Sequence, residues 1–220
     1  YFEGKLAENT GKDDKAIEKF TNSIEYFQKG ELYIPLIYSI ISLGMLQVRK
    51  SCFSDADKLF SKADSLLKRI SDPLAKLSTK INQLYLSSVI RDCTLEDCDK
   101  VLDELKMHEI HNDSYSQWWI IAKTYYQLES LQKAKDCQKK VQKLLQQFSS
   151  LISDKNHRKA FLHSDLIKKE IWLDFSKIEI PIMKTKVSDN IYQFCSNCGG
   201  SNENMNKFCS ECGQNLKKYT

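Results

Sequence analysis

Four cysteines near the end of this chain have the types and spacing that could do chemistry. Cys195, Cys198, Cys209 and Cys212 form a C-x2-C-x10-C-x2-C pattern, and the phrase Phe-Cys-Ser-x-Cys-Gly around them occurs twice, starting at Phe194 and Phe208. A C-x2-C followed by glycine makes a tight turn in which both thiolates point the same way and nearby backbone N–H groups can donate to sulfur. Two such turns supply four sulfurs, a donor set that suits tetrahedral Zn2+. Iron in the same four-thiolate geometry is one alternative, and a dithiol redox role for either pair is another; no βαβ pattern surrounds the pairs to support the redox role. Four protein ligands leave no open coordination position for a substrate. The expectation is therefore one structural Zn2+ and no metal catalysis.

Other candidates for chemistry are weaker. His108 and His111 lie three apart, but no Cys or carboxylate motif completes a metal site around them, and Cys93-x4-Cys98 reads as packing across a turn. The chain has seven glycines: Gly4 and Gly44 fall in helix packing positions, Gly11 and Gly30 in turns, and Gly199, Gly200 and Gly213 among the cysteines. None remains for a phosphate-cradling loop or a nucleophile elbow, so this segment is not expected to be an enzyme. From Phe194 onward, Lys207, Lys217 and Lys218 face Glu203 and Glu211 in number, which is no basic patch; nucleic acid is not the expected partner.

The remainder must position whatever works. With 220 residues, 41% of them hydrophobic, the chain can bury a core, and a net charge of +4 over 33 basic and 29 acidic residues dictates no polyanionic or membrane partner. The longest apolar run, YIPLIYSIISLGMLQV, is broken by Pro35 and Gly44 and is shorter than a membrane span needs. Cys52, Cys93, Cys98 and Cys137 are scattered through helical sequence, which fits a reducing, cytoplasmic setting rather than a disulfide scaffold. The chain opens on Tyr1 inside a helical pattern, as a piece of a longer protein would.

A long period runs through the front part. Ala16-x3-Phe20, Ala56-x3-Phe60-x2-Ala63, Cys98-x3-Leu102-x2-Leu105 and Ala134-x6-Val141 begin 40, 42 and 36 residues apart, and Gly4, Gly44, Leu86 and Ala122 each stand twelve positions earlier. Small residues at two fixed places let paired helices approach closely, while large apolar residues at helical spacing fill the gaps around them. Ser71-Asp72-Pro73 and Asn112-Asp113-Ser114 read as helix starts.

These segments resemble tetratricopeptide repeats (TPR). Leu43-Gly44 with Ala56, Phe60 and Ala63 occupy the family's signature positions, and Trp118, Ile121, Ala122, Tyr125 and Ala134 match similarly. The cysteine motif resembles the short zinc ribbon found at the ends of many prokaryotic proteins, with Gly199 and Gly213 at its turn positions. Arg158-x2-Phe161-Leu162 ahead of Ile171 is similar to the segment that ends the repeat arrays of large prokaryotic signalling proteins carrying cyclase, kinase or ATPase domains upstream.

The expected fold class is accordingly all-α, a TPR-like helical-hairpin solenoid plus a small zinc ribbon. Its expected divisions are repeats over 1–150 with the first truncated, one capping helix over 151–176, a linker over 177–192 and the ribbon over 193–216. The TPR resemblance implies an inner face lined by first-helix positions, here Tyr38, Met45, Arg49, Lys80, Gln83, Arg91, Trp119, Lys123 and Tyr126. Cations and aromatics on one face would favour a protein or peptide partner with acidic side chains or a free carboxylate. The function implied is non-catalytic interaction and scaffolding, as the C-terminal sensing or docking part of a larger signalling protein. A stand-alone adaptor, or a nucleic-acid-associated factor that uses its ribbon, are the alternative readings.

Overall fold

The computed structural model describes residues 1–108, 114–164, 166–173, 193–194 and 201–202. The chain divides into two units, Tyr1–Ile182 and Met183–Thr220. Among its described residues the first unit is all-α. It holds α1 (Phe2–Asn9), α2 (Asp13–Lys29), α3 (Tyr33–Arg49), α4 (Phe53–Leu67), α5 (Pro73–Val89), α6 (Leu95–Met107), α7 (Ser114–Gln127), α8 (Leu131–Ser150), α9 (Lys155–Leu162) and α10 (Leu166–Ile171). In the second unit, β1 (Gln193–Phe194) pairs antiparallel with β2 (Ser201–Asn202), Phe194 opposite Ser201. None of the helices is long and apolar enough to cross a membrane, among the described residues.

Each of the first eight helices packs on the next, and α3 also lies against α5 and α5 against α7. The helices thus work in pairs, with the first helices of successive pairs in contact. One turn closes each of these first helices, and it recurs once after a second helix, where Glu31 beyond α2 has φ of 54° and the Leu32 N–H reaches the Phe27 carbonyl at 2.9 Å. Gly11, Ser51, Arg91 and Glu129 follow α1, α3, α5 and α7 with φ of 72°, 61°, 61° and 59°. After each, an N–H reaches back to close the helix end: Lys12 to the Ala7 carbonyl at 2.9 Å, Cys52 to Gln47 at 2.9 Å, Asp92 to Ser87 at 2.7 Å and Ser130 to Tyr125 at 2.9 Å. A left-handed residue there satisfies carbonyls that a helix end would otherwise leave orphaned.

Glycine also permits close contact within the first two pairs. A Cβ on Gly4 would lie 2.7 Å from the Phe20 ring, and one on Gly44 would lie 2.5 Å from the Phe60 ring, so each phenylalanine seats directly on helix backbone. Counting forty residues on again reaches Leu84, which rules out the same close seat, and the turn between α5 and α6 is two residues longer than that between α3 and α4. The core follows this division. Ala7, Ala16, Phe20, Leu43 and Leu46 form one cluster, a second joins α3, α4 and α5 around Ile37, Ile40 and Phe60, and the largest gathers Trp118, Trp119, Tyr125, Val141 and Ile171 from α5 to α10.

Helix starts agree with side-chain chemistry. Asp72 accepts from the Ala75 N–H at 2.8 Å with Pro73 in the first turn, as the sequence suggests, and Thr94 with Asp97 forms a reciprocal capping box. Asn112 and Asp113, the other expected start, lie outside the described residues. Where a single capping helix is expected over 151–176, the described residues hold two helices, α9 ending at Leu162 and α10 beginning at Leu166. There the Ser164 hydroxyl donates to the Phe161 carbonyl at 3.1 Å and accepts from Lys168 Nζ at 3.0 Å, local bonds that compete with helix continuation.

Of the five left-handed positions among the described residues, four (Glu31, Ser51, Arg91 and Glu129) carry a side chain, and a non-glycine there costs roughly 1–2 kcal/mol against roughly 0.5–1 kcal/mol for glycine's extra chain entropy. Ser51→Gly is therefore expected to stabilise the chain by about 0.5 kcal/mol, raising Tm by about 1–2 °C in calorimetry. A fall in Tm would show that the Ser51 turn is not strained.

Candidate functional site

The face where first helices meet carries a polar seam. Glu8 on α1 is only 7% exposed and takes Lys5 Nζ at 3.0 Å, while Arg49 at the end of α3 sends Nη2 to Asp13 at 2.9 Å and to Glu8 at 3.8 Å. Tyr85 on α5 is 1% exposed. The Lys123 ammonium on α7 sits 5.4 Å from the Tyr85 ring centroid and 5.9 Å from that of Trp119, an arrangement in which aromatic faces attract a cation. From α10, Glu170 closes the seam: its Oε2 accepts from Trp119 Nε1 at 3.2 Å and lies 3.8 Å from Lys123 Nζ.

Burial sets the electrostatics. The Lys123 side chain is 15% exposed, and desolvation lowers its pKa from the ordinary lysine value; Glu170 and Glu8 pull it back up, and Arg49 adds to the lowering. Tyr85 is pushed well above the ordinary tyrosine range, first by burial and then by the Glu170 charge. A cation in such a place requires an acceptor, because removing one partner of a desolvated pair leaves the other uncompensated.

The nine residues expected on the inner face are placed unequally. Arg49, Trp119 and Lys123 join the seam. Trp119, expected to line an open face, is 1% exposed because the largest core cluster and α10 enclose it. Arg91 departs furthest: it is the left-handed turn residue beyond α5, exposed and off the helix. The register of α5 was anchored on Cys98 in α6, and the two extra residues between these helices displace it. Lys80 pairs with Glu104 on α6. Tyr38 and Met45 are half-buried against the second cluster, Tyr126 against the largest, and Gln83 is half-buried on α5.

Sequence reasoning missed Tyr85, Glu8 and Glu170. Counted from the shared turns, Lys5, Met45, Tyr85 and Lys123 occupy one register, so the turn geometry would have found Tyr85. No spacing signal points to Glu170, which comes from outside the repeating part.

Elsewhere, Tyr125 donates to Asp99 Oδ1 at 2.6 Å and Lys133 reaches the same oxygen at 2.7 Å, which holds the Asp99 carboxyl below its ordinary range. The Cys98 and Cys137 thiols are buried and pushed up to about 12, and that of Cys93 to about 11, in each case chiefly by desolvation. Cys52 is exposed. Among the described residues no group of three or more His, Cys, Asp or Glu could hold a metal ion. Cys195, Cys198, Cys209, Cys212 and His111 lie outside the described residues; β1 and β2 flank the stretch from Cys195 to Gly200 and pair on either side of it. No protein-family model matches the chain, and no curated protein matches it.

The buried cation makes a prediction with a definite sign. The folded chain releases the Lys123 proton more readily than the unfolded chain, so the penalty for the buried charge is present below the lowered folded pKa. It disappears as pH rises toward about 10.4, the unfolded lysine value. The stability of the wild type relative to Lys123→Met is expected to increase over that window in urea unfolding, while the Tyr85 contribution, common to both proteins, largely cancels. A difference that stays constant with pH would mean that Lys123 is not desolvated in the native state.

Proposed function

We propose that the chain is a TPR-type solenoid with a C-terminal zinc ribbon, serving non-catalytic protein–protein interaction as a sensing or docking part of a larger cytoplasmic signalling protein. The observation that carries this reading is the seam: Arg49, Lys123 and the Trp119 N–H, all from first helices, converge on carboxylates. Supporting it is the recurrence of one left-handed turn at Gly11, Ser51, Arg91 and Glu129, which stacks first helices side by side. A face of this kind takes a peptide that offers a carboxylate and an apolar side chain.

Cys195, Cys198, Cys209 and Cys212 would hold the zinc, whose contribution is to tie together a unit too small for a core of its own. The antiparallel pairing of β1 with β2 puts the residues either side of Cys195 and Cys198 next to each other, which is compatible with this reading. Four thiolates at this spacing are a donor set that zinc accepts with full coordination.

Two measurements test these parts separately. In an array of acidic peptides, those with Glu or Asp beside a large aliphatic residue are expected to bind the full chain, and Lys123→Met to weaken them at least about tenfold, the loss of one charge-assisted bond. Undiminished binding by that variant would remove the seam as the recognition surface. For the ribbon, protein purified without added zinc is expected to carry near one equivalent of tightly held metal. Native alkylation should then modify Cys52, with four further cysteines becoming reactive after chelation, while the high thiol pKa values of Cys93, Cys98 and Cys137 protect them. Ready alkylation of the four ribbon cysteines before chelation would rule zinc out.

A further inference from the structure

We propose that α10 is a built-in occupant of a peptide receptor: Glu170 and Ile171 fill the place that a partner segment with an acidic residue followed by a large aliphatic one takes when α10 is displaced. This rests on the peptide-binding reading and adds the ligand class and its regulation.

α10 has six residues, far below the length at which a helix is stable alone, so its place depends on what it touches. The contacts are those by which a receptor holds a peptide. Glu170 presents one carboxylate to a cation and an indole N–H, through Lys123 and Trp119. Ile171 enters the largest core cluster and is fully buried. Gln138 and Gln142 on α8 read the backbone: Gln138 Nε2 donates to the carbonyls of Ile171 at 2.9 Å and Leu173 at 2.8 Å, and Gln142 Nε2 to that of Ile171 at 3.0 Å. Backbone contacts of this kind can be made to any segment in the same conformation.

The docked state is also imperfect. Trp172 follows α10 with its Nε1 buried and without a hydrogen-bond partner, a penalty that undocking relieves. Among the described side chains of α10, Ile171 is buried in the cluster, Ile167 packs partly covered on it, Lys168 is buried with its ammonium 4.0 Å from the Phe161 ring centroid, and Glu170 is half-covered. Once Glu170 leaves, Lys123 faces only Glu8 and Arg49 at longer range, with the rings of Tyr85 and Trp119 beside it, and needs a new acceptor. A peptide carboxylate supplies one.

The experiment uses the full chain and a fluorescent peptide with the sequence of residues 166–173, LIKKEIWL, as probe. Glu170→Ala and Ile171→Ala each loosen α10 and leave the receptor residues intact. Both are expected to shift the Trp119 indole N–H resonance and to raise probe affinity about tenfold, as removing a competitor that holds nine-tenths of the population would. A probe with Gln for Glu should bind more weakly to either variant. If the probe binds wild type and both variants equally, α10 is a fixed structural element; the present inference falls while the peptide-binding reading stands. If the Trp119 resonance moves but the probe binds no form of the chain, the face is no receptor and both fall.

Discussion

A left-handed residue ends every first helix among the described residues, and also α2 at Glu31, and the register of the first helices depends on it. At Gly11, Ser51, Arg91 and Glu129 the chain reverses with the same backbone bond pattern, so the second helix of each pair leaves its first in a similar direction. Once direction is repeated, first helices can lie against first helices, as α3 does on α5 and α5 on α7. Side chains far apart in sequence then share one face. Lys5, Met45, Tyr85 and Lys123 reach the same register through this constraint, and the polar seam follows from it.

The seam is an expensive way to fill space. Burying a cation and carboxylates usually gives no more stability than an apolar replacement of similar shape, because desolvation offsets the attraction between them. Here the aromatic rings of Tyr85 and Trp119 reduce the penalty by presenting electron-rich faces to the Lys123 ammonium, and Glu170 neutralises it. Arg49, more exposed at 33%, has the Asp13 and Glu8 carboxylates beside it. In the proposed receptor such an arrangement would contribute discrimination more than stability. It would penalise an uncharged occupant, which would leave Lys123 without the Glu170 acceptor.

What could be read from the sequence was whatever depended on local chemistry or on packing between neighbouring helices. The small-to-large pattern of Gly4 with Phe20 and Gly44 with Phe60 located two helix pairs, and Asp72-Pro73 located the start of α5. The turns that end first helices were illegible in three of four cases, because Ser51, Arg91 and Glu129 occupy a conformation that glycine normally advertises, as does Glu31 after α2. That concealment had a consequence in α5, where two extra residues in an unseen turn moved Arg91 off the helix and hid Tyr85. Trp119 looked available because its helix position resembles a surface one; its burial depends on α10, which no period foretells. The break after α9 was equally hidden, since it turns on one Ser164 hydroxyl inside an otherwise amphipathic stretch.

The connection between α8 and α10 shapes how the receptor would respond. Ser150 ends α8 and Leu166 begins α10, so the occupant is tethered by a short segment that itself contains α9. A short tether keeps a displaced occupant at an effective concentration on the order of millimolar. On the proposed reading, an external peptide present at micromolar levels would compete against a large local excess, and would have to gain affinity from contacts α10 does not make. Trp172, with its unpaired indole nitrogen, marks where such a gain is available: a partner bearing a smaller or purely apolar side chain there would avoid that penalty. The same tether makes the response adjustable. A change that strains or extends the segment around α9 would lower the local concentration of Glu170 without altering a single contact of the proposed receptor, so its affinity would be set from outside the face.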